Sequence, residues 1–430
     1  MWGDAMIRQA ALKVLLCSLP WVSLLASPAL AADLPTTKAP DAPPAAVAAP
    51  NPFDLNLTYT GEEWDNSGGL KDGANYMYGF DASLGVDLQK LLGIPNARFY
   101  AEGFYVGGQS QDFKYTGALE APSALDAFQS MDLGKLYQLY YEQQFGSTNV
   151  LVGKYDTQEQ FGTTRPMDLF ADKGQAINMA FLAAGQAAGY NDPSLYPNTA
   201  VGLRIKQTLN DQWTVKLGLL DGISDSPDAR NTTDFVFGPQ YGVLGIGEVD
   251  YAPDKYTKLI AGGWTITGQI DKLGQFSPTY KQLTTWGDAG GYFGGATRLY
   301  TIAGPRGIDG FFNVGLTNGV TNIIDKSFDA GLTFTGLLPF RPGDKLGAAV
   351  SVVENSQGWK NVSALYYGDK IANYETDYEL TYRAKITDWL NVQPEADYIV
   401  HPSIGTRGNG QPLPNALSVG FHFELHKEFN

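Results

Sequence analysis

From residue 374 onward, apolar and polar side chains alternate with a period of two. Tyr374, Thr376, Tyr378, Leu380, Tyr382, Ala384 and Ile386 fall on one side, and Glu375, Asp377, Glu379, Thr381, Arg383 and Lys385 on the other. After a short turn at Thr387, Asp388 and Trp389 the alternation resumes. Leu390, Val392, Pro394, Ala396, Tyr398 and Val400 continue the apolar side, and Asn391, Gln393, Glu395, Asp397 and His401 the polar one. Such a period predicts two antiparallel strands with one apolar and one charged face. The strands are about twice the length usual in soluble folds. That length suits a tilted strand crossing a bilayer, with the charged face lining water inside a barrel.

The same rhythm recurs from Asp54 on. In 76–88, Phe80, Ala82, Leu84, Val86 and Leu88 oppose Asp81, Ser83 and Asp87. In 97–106, Arg98, Tyr100 and Glu102 share a face. Segments 136–145 and 149–156 form a hairpin about Gly146 with blurred alternation, and 199–208 and 213–219 alternate cleanly. Weaker runs at 241–251, 257–268, 289–301 and 309–316 follow, then 327–336 and 345–354, the pair described above, and a last strand at 415–425. Short links at 89–96, 146–148, 209–211, 252–256, 302–308, 337–343 and 387–389 alternate with longer ones. The longer links are 61–75, 107–135, 157–198, 221–240, 269–288, 317–326, 355–373 and 402–414. Sorting of this kind predicts an all-β, transmembrane antiparallel β-barrel of about 16 strands, with short periplasmic turns, long extracellular loops and both termini on the periplasmic side.

Composition agrees. Only 17% of the 430 residues are charged, against about 25% in ordinary soluble domains, while aromatics reach 13% and glycines number 50. Arg8 and Lys13, the apolar run 14–25 and Ala29-Leu30-Ala31 predict a signal peptide over 1–31. The single cysteine, Cys17, lies inside it, so no disulfide is expected in the mature chain. No later run is long and apolar enough for a membrane-spanning helix. Residues 32–52, rich in Pro and Ala, read as a flexible lead-in to a barrel over 53–430. A net charge of -15 excludes a nucleic-acid partner and favours cations over anions in a lumen. In the last strand Leu417, Val419, Phe421, Phe423 and Leu425 alternate with Ser418, Gly420, His422 and Glu424. This pattern resembles the C-terminal signal read by the outer-membrane assembly machinery, although Asn430 follows the aromatic Phe429.

Four stretches resemble the carbohydrate-selective porin family of Gram-negative outer membranes. They are Gly79-Phe80-Asp81 through Leu91-Leu92-Gly93-Ile94-Pro95; Leu139-Tyr140-Tyr141-Glu142-Gln143 with Val152-Gly153-Lys154-Tyr155-Asp156 and Phe161-Gly162; Arg306-Gly307-Ile308-Asp309-Gly310 with Gly336-Leu337-Leu338-Pro339-Phe340-Arg341-Pro342-Gly343-Asp344; and 379–402 with Tyr382-Arg383, Trp389-Leu390 and Gln393-Pro394. The resemblance implies a sixteen-stranded outer-membrane channel that admits glucose and related small sugars or polyols. The partners expected are small sugars, the lipid bilayer with its lipopolysaccharide, and the assembly machinery, with a monomer or a homotrimer as the functional unit and no cofactor. A general or cation-selective diffusion porin without sugar preference is the alternative, for which the net charge alone would suffice.

Sugar passage needs weak, repeated contacts. Arg and carboxylates bond hydroxyls, and aromatic faces stack on pyranose rings. Parity nominates Arg98, Tyr100, Glu102, Arg204, Lys206, Lys216, Glu248, Asp250, Arg298, Glu379, Arg383, Glu395 and Asp397 for the lumen, with Tyr140 as a further stacking platform. Arg165 and Asp168, with Asp172 and Lys173, sit in the longest link, 157–198, which either folds inward to narrow the barrel or caps its mouth. Many of these charges could equally be solvated wall that keeps the barrel round. Trp213 and Trp389, beside short turns, suit an interfacial girdle. No catalytic or metal site is expected. His422, Glu424 and His426 share a strand face, but this is not the helical zinc spacing, and no nucleophile motif accompanies Ser418 and His422.

Overall fold

The computed structural model describes residues 51–119, 122–123, 125–126, 132–164, 169–170, 194, 196–224, 239, 241–279, 281–366, 368, 370–404 and 407–429. Sixteen strands account for most of them: β1 Phe53–Gly68, β2 Gly73–Asp87, β3 Ala97–Gly108, β4 Leu133–Phe145, β5 Thr148–Tyr155, β6 Ala200–Thr208, β7 Trp213–Asp221, β8 Val243–Tyr251, β9 Lys258–Phe276, β10 Gln282–Ala303, β11 Arg306–Leu316, β12 Ile324–Thr335, β13 Lys345–Asn355, β14 Tyr374–Lys385, β15 Leu390–Val400 and β16 Ala416–Phe429. Each strand pairs with its sequence neighbours, and β16 returns to β1 in register from Leu55↔Phe429 to Gly68↔Ala416. Closure leaves no strand edge unpaired, as a sheet in hydrocarbon requires.

The outer face carries exposed apolar side chains such as Val152, Leu217, Leu219, Phe293, Val419 and Phe421. Trp213 and Trp389 are exposed beside the turn end, as girdle residues would be. The inner face is polar over β14 and β15, where Glu375, Asp377, Glu379, Glu395 and Asp397 are all buried. The wall from β7 to β10 differs. There Leu220, Leu244, Ile246, Ile260, Trp264, Ile266 and Tyr292 form an apolar cluster inside the barrel, while Leu217, Leu219 and Val249 face out. Strands apolar on both faces lose their period, which explains the weak runs at 241–251 and 257–268.

Two links expected to be long are short. The β1–β2 link is only 69–72, because the pairing continues to Asn66↔Gly73. The β9–β10 link is only 277–281. That hairpin extends well beyond its alternating part, but register shifts at Gln282/Thr284 and Trp286/Asp288 and positive φ at Gly274 and Gly287 break its period. The 317–326 link also loses its end to β12, which begins at Ile324. The blurred run at 136–145 has the same kind of cause. A register shift between Glu102 and Gly103 sets Glu102 against Gln138 and Gly103 against Leu136, so Tyr137 and Gln138 are both buried. At the turn end, Gly146 (φ 58) opens the tight β4–β5 hairpin. Asp87 accepts from the N–H groups of Gln89 and Lys90 to start a single helical turn, Leu88–Leu92, between β2 and β3.

Candidate functional site

Inward strand positions supply a connected polar lining. Arg204 donates to Glu142 at 2.7 Å, to Gln160 at 3.1 Å and to Asn149. Lys216 bridges Glu248 (2.6 Å) and Asp250 (3.0 Å), and Lys258 reaches Asp250 at 3.1 Å. Arg298 pairs with Asp309 at 2.6 Å and lies over the Tyr256 ring. Arg383 donates to Gln393 at 2.7 Å, and Glu379, Glu395 and Asp397 bring carboxylate oxygens within 4.8 Å of one another. The structure therefore puts Arg204, Glu248, Asp250, Arg298, Glu379, Arg383, Glu395 and Asp397 on the inner wall, most of them engaged with a neighbouring side chain. Arg165, Asp168, Asp172 and Lys173 lie outside the described residues. The three residues His422, Glu424 and His426 do not converge. His422 Nδ1 is 3.2 Å from Glu62, Asn391 donates to Glu424, and His426 Nδ1 is 3.1 Å from Thr58 Oγ1.

Two loop segments enter the lumen. After β5, Asp156 caps a one-turn helix, Thr157–Gln160, and Phe161 follows, fully buried in the apolar cluster. The next backbone groups are tied to the wall. Gly162 N–H donates to Glu248 at 2.5 Å, and Lys258 donates to the Thr163 carbonyl at 2.5 Å. Further on, Leu169 and Phe170 pack against Ala296, Phe311 and Ala349, and Gln393 donates to the Leu169 carbonyl at 3.0 Å. The described ends of this link thus lie along the inner wall from β5 round to β15, so it contributes to the lumen and not solely to an external cap. Pro394 helps. It lacks an N–H, and the β14–β15 pairing skips from Thr381↔Glu395 to Ala384↔Val392. Gln393 fills that gap, bonding Thr381 (2.8 Å), Glu395 (3.0 Å) and Leu169.

On the other side, the link after β3 turns inward. Ser123 donates to Glu62 at 2.5 Å, Gln111 to Ser418 at 2.9 Å, and the Leu119 N–H to Glu375 at 2.7 Å. Asp126 accepts from Ser110 (2.8 Å) and from the Asp112 N–H (3.0 Å), and its burial pushes it up to about 6. Trp64, stacked edge-on against His422, is wholly buried beneath this segment.

Among the described residues, a lane of polar groups on β2, β3 and β6, with Glu159 beside them, is left unburied. Asp81, Tyr100 and Glu102 are half-buried, and Arg98, Glu159 and Lys206 are exposed. Gln138 donates to both Glu102 (2.7 Å) and Glu159 (3.0 Å), and Tyr100 Oη donates to Glu102 at 3.0 Å. Asp81 lies in the field of both carboxylates. Glu159 keeps an accessible edge, yet the barrel walls around it desolvate the carboxyl and, with the Glu102 charge, raise it to about 7. Beneath it, burial lifts Asp156 well above the carboxylate range, and Tyr137 donates to it at 2.5 Å. Tyr100 and Tyr140 stack on each other, with ring centroids 5.0 Å apart, and Arg98 lies over the Tyr100 ring. The two rings thus support neighbours as well as facing the lumen. Asp81 was legible by parity but not nominated. Glu159, Phe161, Gly162 and Ser123 were missed because loop residues carry no period to read.

A family model described as "Carbohydrate-selective porin, OprB family" matches residues 71–426. Porin B of Pseudomonas aeruginosa is 24% identical over 418 residues, covering 86% of this chain and 87% of that protein. The high-pH structure of Pseudomonas putida OprB superposes with a TM-score of 0.70 at 19% identity, over 87% of this chain and 94% of that one. The low-pH structure of the same protein gives 0.52 at 18% identity, over 87% and 92%. At these identities the structural likeness speaks for the fold alone.

Proposed function

The chain belongs to the carbohydrate-selective porin family, and on that premise we propose how this porin passes its solutes. It is a channel of the outer membrane for sugar uptake, built as a closed barrel with a water-filled, charge-lined lumen. Glucose and related small sugars or polyols travel the lane past Asp81, Glu159, Glu102, Tyr100 and Arg98. The observation that carries this is that these groups keep solvent exposure while the described parts of both inward segments are tied to other stretches of the wall, at Glu248 and Glu62. Charges pinned in pairs, such as Lys216 with Glu248 and Arg298 with Asp309, hold the wall and stay out of the solute's way. Passage involves no catalytic step and no cofactor. Ala29-Leu30-Ala31 supports cleavage of a signal peptide over 1–31, with 32–52 as a flexible lead-in. The alternation of Val419, Phe421, Phe423 and Leu425 supports recognition of β16 by the assembly machinery. The apolar outer face suits bilayer lipid and lipopolysaccharide in a monomer or a homotrimer.

Swelling of liposomes containing the protein tests the reading. Glucose should enter faster than an amino acid of equal size. Equal rates for all solutes would overturn sugar preference and leave a general, cation-favouring porin.

A further inference from the structure

Arg98, like Lys206, stands apart from the ion-paired inward cations. Arg204, Lys216, Lys258 and Arg298 each meet a carboxylate at 3.1 Å or less. Among the described residues Arg98 makes no ion pair and no hydrogen bond, although Glu142 lies opposite it on β4 and Asp87 on β2; Glu142 pairs with Arg204, and Asp87 caps the turn at Gln89 and Lys90. The side chain is exposed. An unpaired long side chain would ordinarily wander, but this one is held. The guanidinium carbon sits 5.0 Å from the centroid of the Tyr100 ring. Tyr100 is in turn fixed by Tyr140 and by its bond to Glu102. On β2, Gly85 lies opposite Tyr100, and the guanidinium leans over it: a Cβ there would stand 2.6 Å from Arg98 Nη2 and 3.1 Å from Nε. The absent side chain at Gly85 is the space the guanidinium occupies.

Resting on the sugar-porin reading, we propose that Arg98 is a pre-oriented fork that hydrogen-bonds adjacent hydroxyls of a neutral sugar at the periplasmic end of the lane. A planar guanidinium offers parallel N–H donors at a spacing that two neighbouring hydroxyl oxygens can accept, which a lysine ammonium cannot match. Stacking on Tyr100 reduces the rotamer freedom lost on binding, so the contact favours one orientation of the solute while remaining weak enough to release it. The carboxylates Asp81, Glu102 and Glu159 stand on the loop side of Arg98 and repel anionic solutes before they reach it. The fork thus serves neutral polyhydroxy solutes and not sugar acids.

Two substitutions separate orientation from charge. Arg98→Lys keeps the charge and loses the fork. Gly85→Ala keeps the arginine and displaces it, and the three atoms nearest the new methyl all belong to Arg98, so the barrel itself is undisturbed. In planar bilayers, glucose should block the ion current of the unaltered porin in a concentration-dependent way. Both variants should raise the half-blocking glucose concentration about tenfold, the scale of a lost hydrogen bond to a charged group, with sugar-free conductance nearly unchanged. An unaltered half-blocking concentration in both variants overturns the proposal. So does an effect of Arg98→Lys that Gly85→Ala fails to share, since that would leave only the identity of the side chain at work. If glucose neither blocks nor crosses the unaltered porin, the sugar reading itself fails, and that result is visible before any substitution is compared.

Discussion

Glu248 gathers three donors at once. Lys216, Tyr292 and the Gly162 N–H all point at its carboxylate, at 2.6, 2.7 and 2.5 Å. One side chain on β8 therefore joins the ion-paired wall to the segment that enters the lumen. Replacing it with leucine would leave Lys216 with only Asp250 and free the Gly162 backbone. Breaking a buried pair in this way costs about 3–5 kcal/mol. Glu248→Leu should lower the denaturant midpoint of the barrel accordingly and also raise single-channel conductance as the 162–163 backbone loosens. A variant with unchanged conductance would separate Glu248 from the pore width. Parity made Glu248 legible as an inward residue, but its partner Gly162 was not, because nothing in a loop sequence records which wall it meets.

At the scale of elements, the strands and the inward segments obey different rules. Strand existence follows from the two-residue period, and β14 and β15, the most regular alternation in the chain, end at Lys385 and Val400 close to where the pattern does. Where a bulge intervenes, as at Tyr137, or where both faces are apolar, as along β8 and β9, the period disappears although the strand does not. The segment after β5 is held by burial of one aromatic side chain. Phe161→Ala would remove a fully buried ring from the cluster of Leu151, Leu220, Ile246 and Tyr292, a loss of about 3–5 kcal/mol. That loss falls on docking of the segment and not on strand pairing. The expected result is a barrel with normal heat-modifiable migration on gels, but with noisier, larger single-channel currents and faster proteolysis within 157–198. An equal loss of barrel stability would instead make Phe161 part of the wall itself.

At the scale of the whole molecule, the lumen carries an excess of carboxylates, in keeping with a net charge of -15, and two of those outside the strands titrate near neutrality. Glu159 is raised to about 7 and Asp126 to about 6. Both are protonated more readily in the folded barrel than in the unfolded chain. Their contribution to stability is therefore fully present below the ordinary carboxylate range and is lost as pH rises through about 6 to 7. Charge follows the same protons. Acidifying from about pH 8 to about pH 5 should reduce the preference for potassium over chloride, measured as the zero-current potential in a salt gradient. The midpoint should fall between the two groups, and Glu159→Gln should flatten its upper part. A preference that does not vary with pH would mean that neither group faces the conducting water.

The sequence alone determined the architecture, because a strand with one face in lipid and one in water must alternate, and alternation is local. It also supplied most of the inner-wall charges, the hairpin about Gly146, and the motifs of the family. Tertiary structure decided which of those charges are consumed in pairs. Arg204 and Arg98 have the same parity and the same chemistry, yet one is bound to Glu142 and the other stands free over Tyr100 beside Gly85. That difference rests on contacts between strands and on loops folded back into the barrel, which bring together residues far apart in the chain and therefore leave no periodic trace in it.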